Sequence, residues 1–260
     1  MIVALKLLLV PALLAIVTLA GRRWGQRVAG WLGSFPIVAG PILLILTLEN
    51  GGAFGAAAAQ RAMAGVAATT GFFVAYSHFA PRWSWRYAFA ASTALWIMLA
   101  VLLSLLPATL GAAAAVALLA LAAAPFAMRK AAAMTPAPAA PGSAGDPRLE
   151  LLSRMLAGAT LVLVTSGLGA RFGPEASGYA ALFPVVGGTA AGFNHARQGA
   201  AAALHFLRGT NRGMWSVAVF CGVLAVGLVR WPTEAAFGAA LAATLLMHAL
   251  TLPRAPAAPR

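Results

Sequence analysis

Gly30-Trp31-Leu32-Gly33-Ser34-Phe35-Pro36-Ile37-Val38-Ala39-Gly40 returns 148 residues later as Gly178-Tyr179-Ala180-Ala181-Leu182-Phe183-Pro184-Val185-Val186-Gly187-Gly188. The match extends outward without a gap. Gly21-x-Arg23-Trp24-Gly25 falls on Gly169-x-Arg171-Phe172-Gly173, Gly51 on Gly199, Gly65 on Gly213, Phe72 on Phe220, and Arg82-Trp83 on Arg230-Trp231. From Gly21 to Gly65, 11 of 45 positions are identical. A composition rich in alanine and glycine explains part of this. The aligned Arg, Trp, Phe and Pro residues carry the rest. In a chain this apolar, an internal duplication points to a membrane protein of two related halves.

Composition agrees. Of 260 residues, 62% are hydrophobic and 9% charged, against roughly a quarter charged in soluble domains. Apolar runs of about 20 residues alternate with short charged loops, as in bilayer-spanning helices. No period-2 alternation suggests a β-barrel. The net charge of +13 would suggest nucleic acid in a soluble protein. Here the arginines are strung through inter-helix loops, so they read as topology signals and no nucleic-acid partner is expected. The single cysteine, Cys221, excludes a disulfide framework. Residues 1–20 resemble a signal peptide, but they align with 151–168 and carry only Lys6, so they read as a first span.

The expected fold is all-α and polytopic, with about nine spans near 2–20, 28–48, 62–80, 87–106, 108–127, 149–170, 176–193, 214–230 and 235–251. Residues 87–128 carry no charge and are too long for one crossing, so Pro107 marks a turn. The division is a first four-helix repeat (1–106), a connecting helix (107–128), a cytoplasmic Pro/Ala linker (129–147), a second four-helix repeat (148–251) and a disordered tail (252–260). Residues 49–61 and 196–208 read either as interfacial helices or as extensions of the spans that follow.

Placing the N-terminus outside and the C-terminus in the cytoplasm puts 14 of the Lys and Arg residues inside and 4 outside (Lys6, Arg61, Arg171 and Arg230). Four spans plus one unpaired helix turn the second repeat upside down. Three aligned positions reverse charge accordingly: Arg27 with Glu175, Glu49 with Arg197, and Arg86 with Glu234. Inverted repeats joined by an extra helix are a known plan for secondary transporters.

The expected substrate-binding residues are Phe35, Pro36 and Gly40 with Phe183, Pro184 and Gly188. Proline removes a backbone donor and breaks the helix. In a bilayer, the carbonyls freed near Leu32 and Ala180 need a partner in protein or trapped water. Matching breaks in two inverted halves mark a central site, and a plain packing kink is the competing reading. Coupling or polar-path candidates are Glu49, Asn50, Thr69, Thr70, His78, Asn194 and His195. For the hydroxyls of the third span, which also carries Tyr76 and Ser77, back-bonding to the preceding turn is the simpler reading. His248 reads as structural. Trp24, Trp31, Trp83, Trp85 and Trp231 read as interface anchors. No phosphate-binding loop, metal-ligand spacing, nucleophile elbow or paired intramembrane carboxylate is visible. No enzymatic activity, metal or cofactor is expected.

The Gly-[Trp/Tyr]-x-x-x-Phe-Pro-[Ile/Val]-Val motif, with a span before it and two after, resembles the GlpM-like family of small four-helix inner-membrane proteins. The resemblance covers roughly 20–75 and 168–223. It implies a bacterial-type inner membrane. The architecture is also similar to the drug/metabolite transporter superfamily, whose small members pair antiparallel and whose larger members are fused. The small multidrug-resistance branch uses a glutamate in its first helix. Here that span holds Lys6, with Arg154 as counterpart, which speaks against cation-drug exchange. The expected partners are the lipid bilayer and a small-molecule solute, the latter moved by alternating access. A scaffold or accessory subunit and a flippase for a lipid-linked substrate are the competing readings.

Overall fold

The computed structural model describes residues 12, 15–36, 38–133, 135, 152, 155–156, 160 and 173–252. Most of the expected spans 2–20 and 149–170, nearly all of the linker from 134 onward, and the tail from 253 lie outside them. So do Lys6, Arg148, Arg154, Arg171 and the side chain of Glu175.

The described residues form helices and no strands. In chain order these are α1 (Gln26–Gly33), α2 (Ala39–Asn50), α3 (Gly52–Phe79), α4 (Trp85–Ser104), α5 (Leu110–Ala133), α6 (Gly173–Ala181), α7 (Val185–Arg230) and α8 (Thr233–Leu250). Residues 15–24 are also helical. Ala and Leu favour helix throughout, so Pro and Gly decide where helices stop. Breaks fall at Gly25, Phe35-Pro36, Gly51, Pro81, Pro107, Phe183-Pro184, Gly199 and Pro232. Helix α5 runs through 129–133, so the connecting helix extends into what the sequence assigns to the linker.

The backbone repeats itself at the 148-residue offset. Phe35 N donates to Leu32 O (3.3 Å) and Phe183 N to Ala180 O (3.1 Å). Beyond each proline, Gly40 N donates to Pro36 O (2.8 Å) and Gly188 N to Pro184 O (2.7 Å). The carbonyls expected to face a cavity or polar side chain are therefore satisfied by a tight backbone turn. The residue just ahead of the proline still has its N–H, and it closes that turn.

Gly51 (φ 90°, ψ 166°) and Gly199 (φ 82°, ψ 176°) share a backbone conformation essentially restricted to glycine. Gly51 separates α2 from α3, and Gly199 splits α7 into helices 185–198 and 200–230. At Gly51 the chain doubles back, so that a Cβ on Gly55 would strike the Thr47 side chain. Residues 52–61 and 200–208 are thus the first turns of long helices rather than separate interfacial ones.

Close packing of small residues joins the halves. Residues 26–52 run alongside 206–228 in the same direction. Gly30 lies against Phe206 O and Thr210, Gly209 against Arg27 O, Gly213 against Trp31 O and Ser34, Gly40 against Phe220, and Gly52 against Leu228 O. The counterpart pair runs likewise. Gly178 lies against Ala58 O and Ala62 N, Gly65 against Leu182, Gly187 against Phe73 and Gly188 against Phe72. Subtracting 148 from Phe206, Thr210, Gly213 and Phe220 returns Ala58, Ala62, Gly65 and Phe72.

Helices α3 and α7 form the core, and α4, α5 and α8 wrap it. The outer helices present Ile97, Val101, Leu102, Leu119, Phe126, Leu245 and Leu246 outward. The buried polar groups Thr69, Thr70, Ser77, Thr189, Asn194, Thr210, Asn211 and Ser216 sit on α3 and α7. Apolar outside with polar groups inside suits lipid as solvent. Among the described residues, four helices are long and apolar enough to cross a membrane: Trp85–Ser104, Leu110–Ala133, the Ala176–Arg230 stretch and Thr233–Leu250. The apolar α2 has only 12 residues, about 18 Å at 1.5 Å each.

Cations gather at one end. Arg208 donates to Met128 O (2.9 Å) beside Arg129 and Lys130, Gly209 touches Arg27, and Gly192 faces Trp85 next to Arg86. The other end holds Glu49 and Glu234 near the Gly52–Leu228 contact, with Arg61 reaching Leu106 O (3.4 Å).

Candidate functional site

The two Phe-Pro breaks meet. Phe35 and Pro36 from one half, and Phe183 and Pro184 from the other, line a single cavity of about 70 Å³, completed by Thr69, Phe73, Thr210, Met214 and Val217. Each corner is formed by the turn described above, so its position follows from proline's missing donor and fixed φ. A buried water needs roughly 10–15 Å³ of such space, so this cavity admits a few waters in the present conformation.

The corners are furnished differently. At Phe183, Trp96 packs edge-on with ring centroids 5.0 Å apart, and its Nε1 donates to Thr69 Oγ1 (3.3 Å). Thr69 in turn donates a short hydrogen bond to Leu182 O, tying α3 to the opposite half. At Phe35, the ring packs edge-on to His248, with centroids 5.5 Å apart. His248 stacks on Trp31 at 4.0 Å, and its Nδ1 lies 3.1 Å from Ser216 Oγ. His248 Nε2 is buried with no hydrogen-bond partner among the described residues. Trp31 Nε1 donates to Thr251 Oγ1 (3.2 Å), and the ring is buried, so this tryptophan belongs to the seam between halves.

A second polar group lies at the basic end. Asn194 Nδ2 donates to Gln26 Oε1 (2.9 Å), and Gln26 Nε2 to Gln198 Oε1 (3.3 Å). Tyr76 OH lies 3.2 Å from His195 Nδ1. These contacts join α1, α3 and the first arm of α7.

The remaining candidates scatter. Glu49 is exposed at the end of α2, and Asn50, also exposed, donates to Leu46 O (3.1 Å). Ser77 bonds Phe73 O (2.8 Å), and His78 Nδ1 bonds Val74 O (2.9 Å), both within their own helix. Thr70 is buried without a partner among the described residues. Gly40 faces Phe220, where an added Cβ would find the ring at 3.4 Å. Gly188 opens on a larger, mostly apolar cavity of about 460 Å³, shared with Trp85, Phe89, Thr160, Thr189, Gly192, Phe193, Ala196 and Arg197. Thus Phe35, Pro36, Phe183, Pro184 and Thr69 share one site, Asn194 and His195 share another, and Glu49, Asn50 and His78 join neither.

Sequence reasoning singled out neither Gln26 nor the 460 Å³ cavity. The polarity of Gln26 at the edge of an apolar run was a usable signal, whereas the cavity depends on three-dimensional packing that no motif encodes. Comparison with protein-family models, curated proteins and solved structures finds no match to this chain.

Proposed function

We propose that this chain is a secondary transporter of a small solute, built from two inverted repeats, in a bacterial-type inner membrane. The observation that carries the reading is the meeting of Phe35-Pro36 and Phe183-Pro184 around one cavity at the seam between halves. Broken helices at corresponding places in two repeats are the usual setting of a transporter's midplane site. The exchanged contacts, Gly30 with Phe206 O and Gly178 with Ala58 O, support a pseudo-two-fold relation. The reversal at Gly51 supports an axis in the membrane plane: each half contains antiparallel arms, and each arm runs parallel to a partner from the other half. Rocking about the seam would open the small cavity to either side in turn. The gathering of cations at one end supports a cytoplasmic location for that end.

Two measurements test this reading. Reporter fusions after Arg86 should sit in the cytoplasm and fusions after Pro107 outside; a shared side for both refutes the topology. Uptake into whole cells, screened over metabolites, should be abolished by an uncoupler and by Gly187→Leu, whose Cβ meets Phe73 at 2.9 Å beside the cavity. A correctly inserted protein that moves no solute, and that purifies with a fixed partner, would favour the accessory-subunit reading.

A further inference from the structure

The 460 Å³ cavity lies in the range of about 300–1,000 Å³ typical of small-molecule sites. Its floor is the first arm of α7, where Gly188 and Gly192 remove side chains on one face. Its wall is Trp85 and Phe89 of α4, with Phe193 beside them. Three polar residues interrupt this apolar lining, and one of them, Thr160, already donates its hydroxyl to Leu156 O one turn back (2.9 Å). Thr189 is buried, and its Oγ1 finds no hydrogen-bond partner among the described residues. Arg197 is exposed at the mouth, while the described carboxylates Glu49 and Glu234 belong to the opposite end of the molecule. Thr189 and Arg197 lie on one unbroken helical arm, eight residues apart, or about 12 Å along its axis.

We infer that this cavity binds an elongated, apolar organic anion. Its charged end sits at Arg197, and a hydroxyl or carbonyl about 12 Å away satisfies Thr189. The aromatic wall holds the body between them. A guanidinium strengthens a hydrogen bond to a carboxylate or phosphate at the mouth, and a buried hydroxyl left unpaired is costly. Both ends therefore select for ligand polarity, while the middle selects for ligand shape. A bulk lipid chain offers nothing to Thr189. The inference concerns a second cavity, distinct from the inter-half one, and does not rest on the transport reading, because binding is measurable without transport.

The test uses the full-length protein in phosphatidylcholine nanodiscs, with Trp85 fluorescence isolated by subtracting the signal of Trp85→Phe. The probes are 10-hydroxydecanoate, decanoate and 1,10-decanediol. The first should bind tightest, with decanoate several-fold weaker and the diol at least tenfold weaker. Arg197→Gln should bring the hydroxy acid down to the diol, and Thr189→Val should bring it down to decanoate. Gly192→Leu should abolish all three signals. An added Cβ there finds its nearest neighbours at 3.8 and 4.0 Å, in Trp85 and Phe89, so the new side chain starts from ordinary contact and occupies the cavity. Equal binding of acid and diol, or a signal unchanged in Gly192→Leu, overturns the inference. Neither result touches the uptake and topology tests of the inter-half cavity.

Discussion

The Phe35 and Phe183 corners share a backbone and differ in almost everything attached to it. Both close with the same tight turn, and in both the N–H of the glycine four residues beyond the proline bonds the proline carbonyl, although helix resumes at Ala39 in one and already at Val185 in the other. The Phe183 corner is then fastened: Trp96, Thr69 and Leu182 O form a satisfied donor chain between halves. The Phe35 corner is held by a histidine stacked on a tryptophan, with one ring nitrogen unpaired among the described residues. The 148-residue counterparts of Trp96 and Thr69 are Thr244 and Val217, and those of His248 and Ser216 are Ala100 and Ala68. The shared backbone supplies the scaffold, and side-chain divergence distributes the roles.

The largest expected effect tests what the halves share. Gly30→Val and Gly178→Val each drive a Cβ into a carbonyl of the facing helix, at Phe206 and Ala58. Overpacking costs about 1–3 kcal/mol or more, and rigid backbone places these variants at the upper end. Both should lose monodisperse protein on size-exclusion in detergent, to similar extents. A tolerant Gly30 beside an intolerant Gly178 would break the equivalence of the two seams.

Next come the reversals. Gly51→Ala and Gly199→Ala force a side chain into a glycine-only conformation, with open space around both. Strain alone should cost about 1–3 kcal/mol in each. Denaturant unfolding followed by helical circular dichroism would measure it, and a free substitution at either site would mean that its joint relaxes.

The smallest effect sharpens the difference between corners. Thr69→Val removes the acceptor for Trp96 and the donor to Leu182 O, and should destabilise by about 1–2 kcal/mol. Ser216→Ala removes a hydroxyl that also bonds its own helix at Gly213 O, and should cost about 0.6 kcal/mol. The same unfolding assay ranks them; a reversed order would make the Phe35 corner the fastened one.

The sequence made the corners legible because Phe-Pro recurs in register at both, whereas a lone proline does not suffice: Pro125 lies inside the unbroken α5. The reversals were half legible. Gly51 and Gly199 were aligned, but glycine also serves close packing, and only φ tells the uses apart. Residues 49–61 read either as an interfacial helix or as an extension of the span that follows; Arg61 is buried and reaches Leu106 O within α3, so from Gly52 the helix is continuous. His248 read as structural from its place near a helix end. Its stacking on Trp31 spans 217 positions of chain and lies beyond any local pattern.

The single-glycine joint at Gly51 also bears on how the chain enters a bilayer. Helix α2 has 12 residues and α3 has 28, and one residue connects them. At about 18 Å, α2 alone falls short of a hydrocarbon core of about 30 Å. No long loop separates the two arms, and the polar residues at the joint are Glu49 and Asn50, exposed at the end of α2. For a chain that enters a bilayer, this joint makes α2 and α3 a single hairpin, delivered to lipid as one unit rather than as two separated segments.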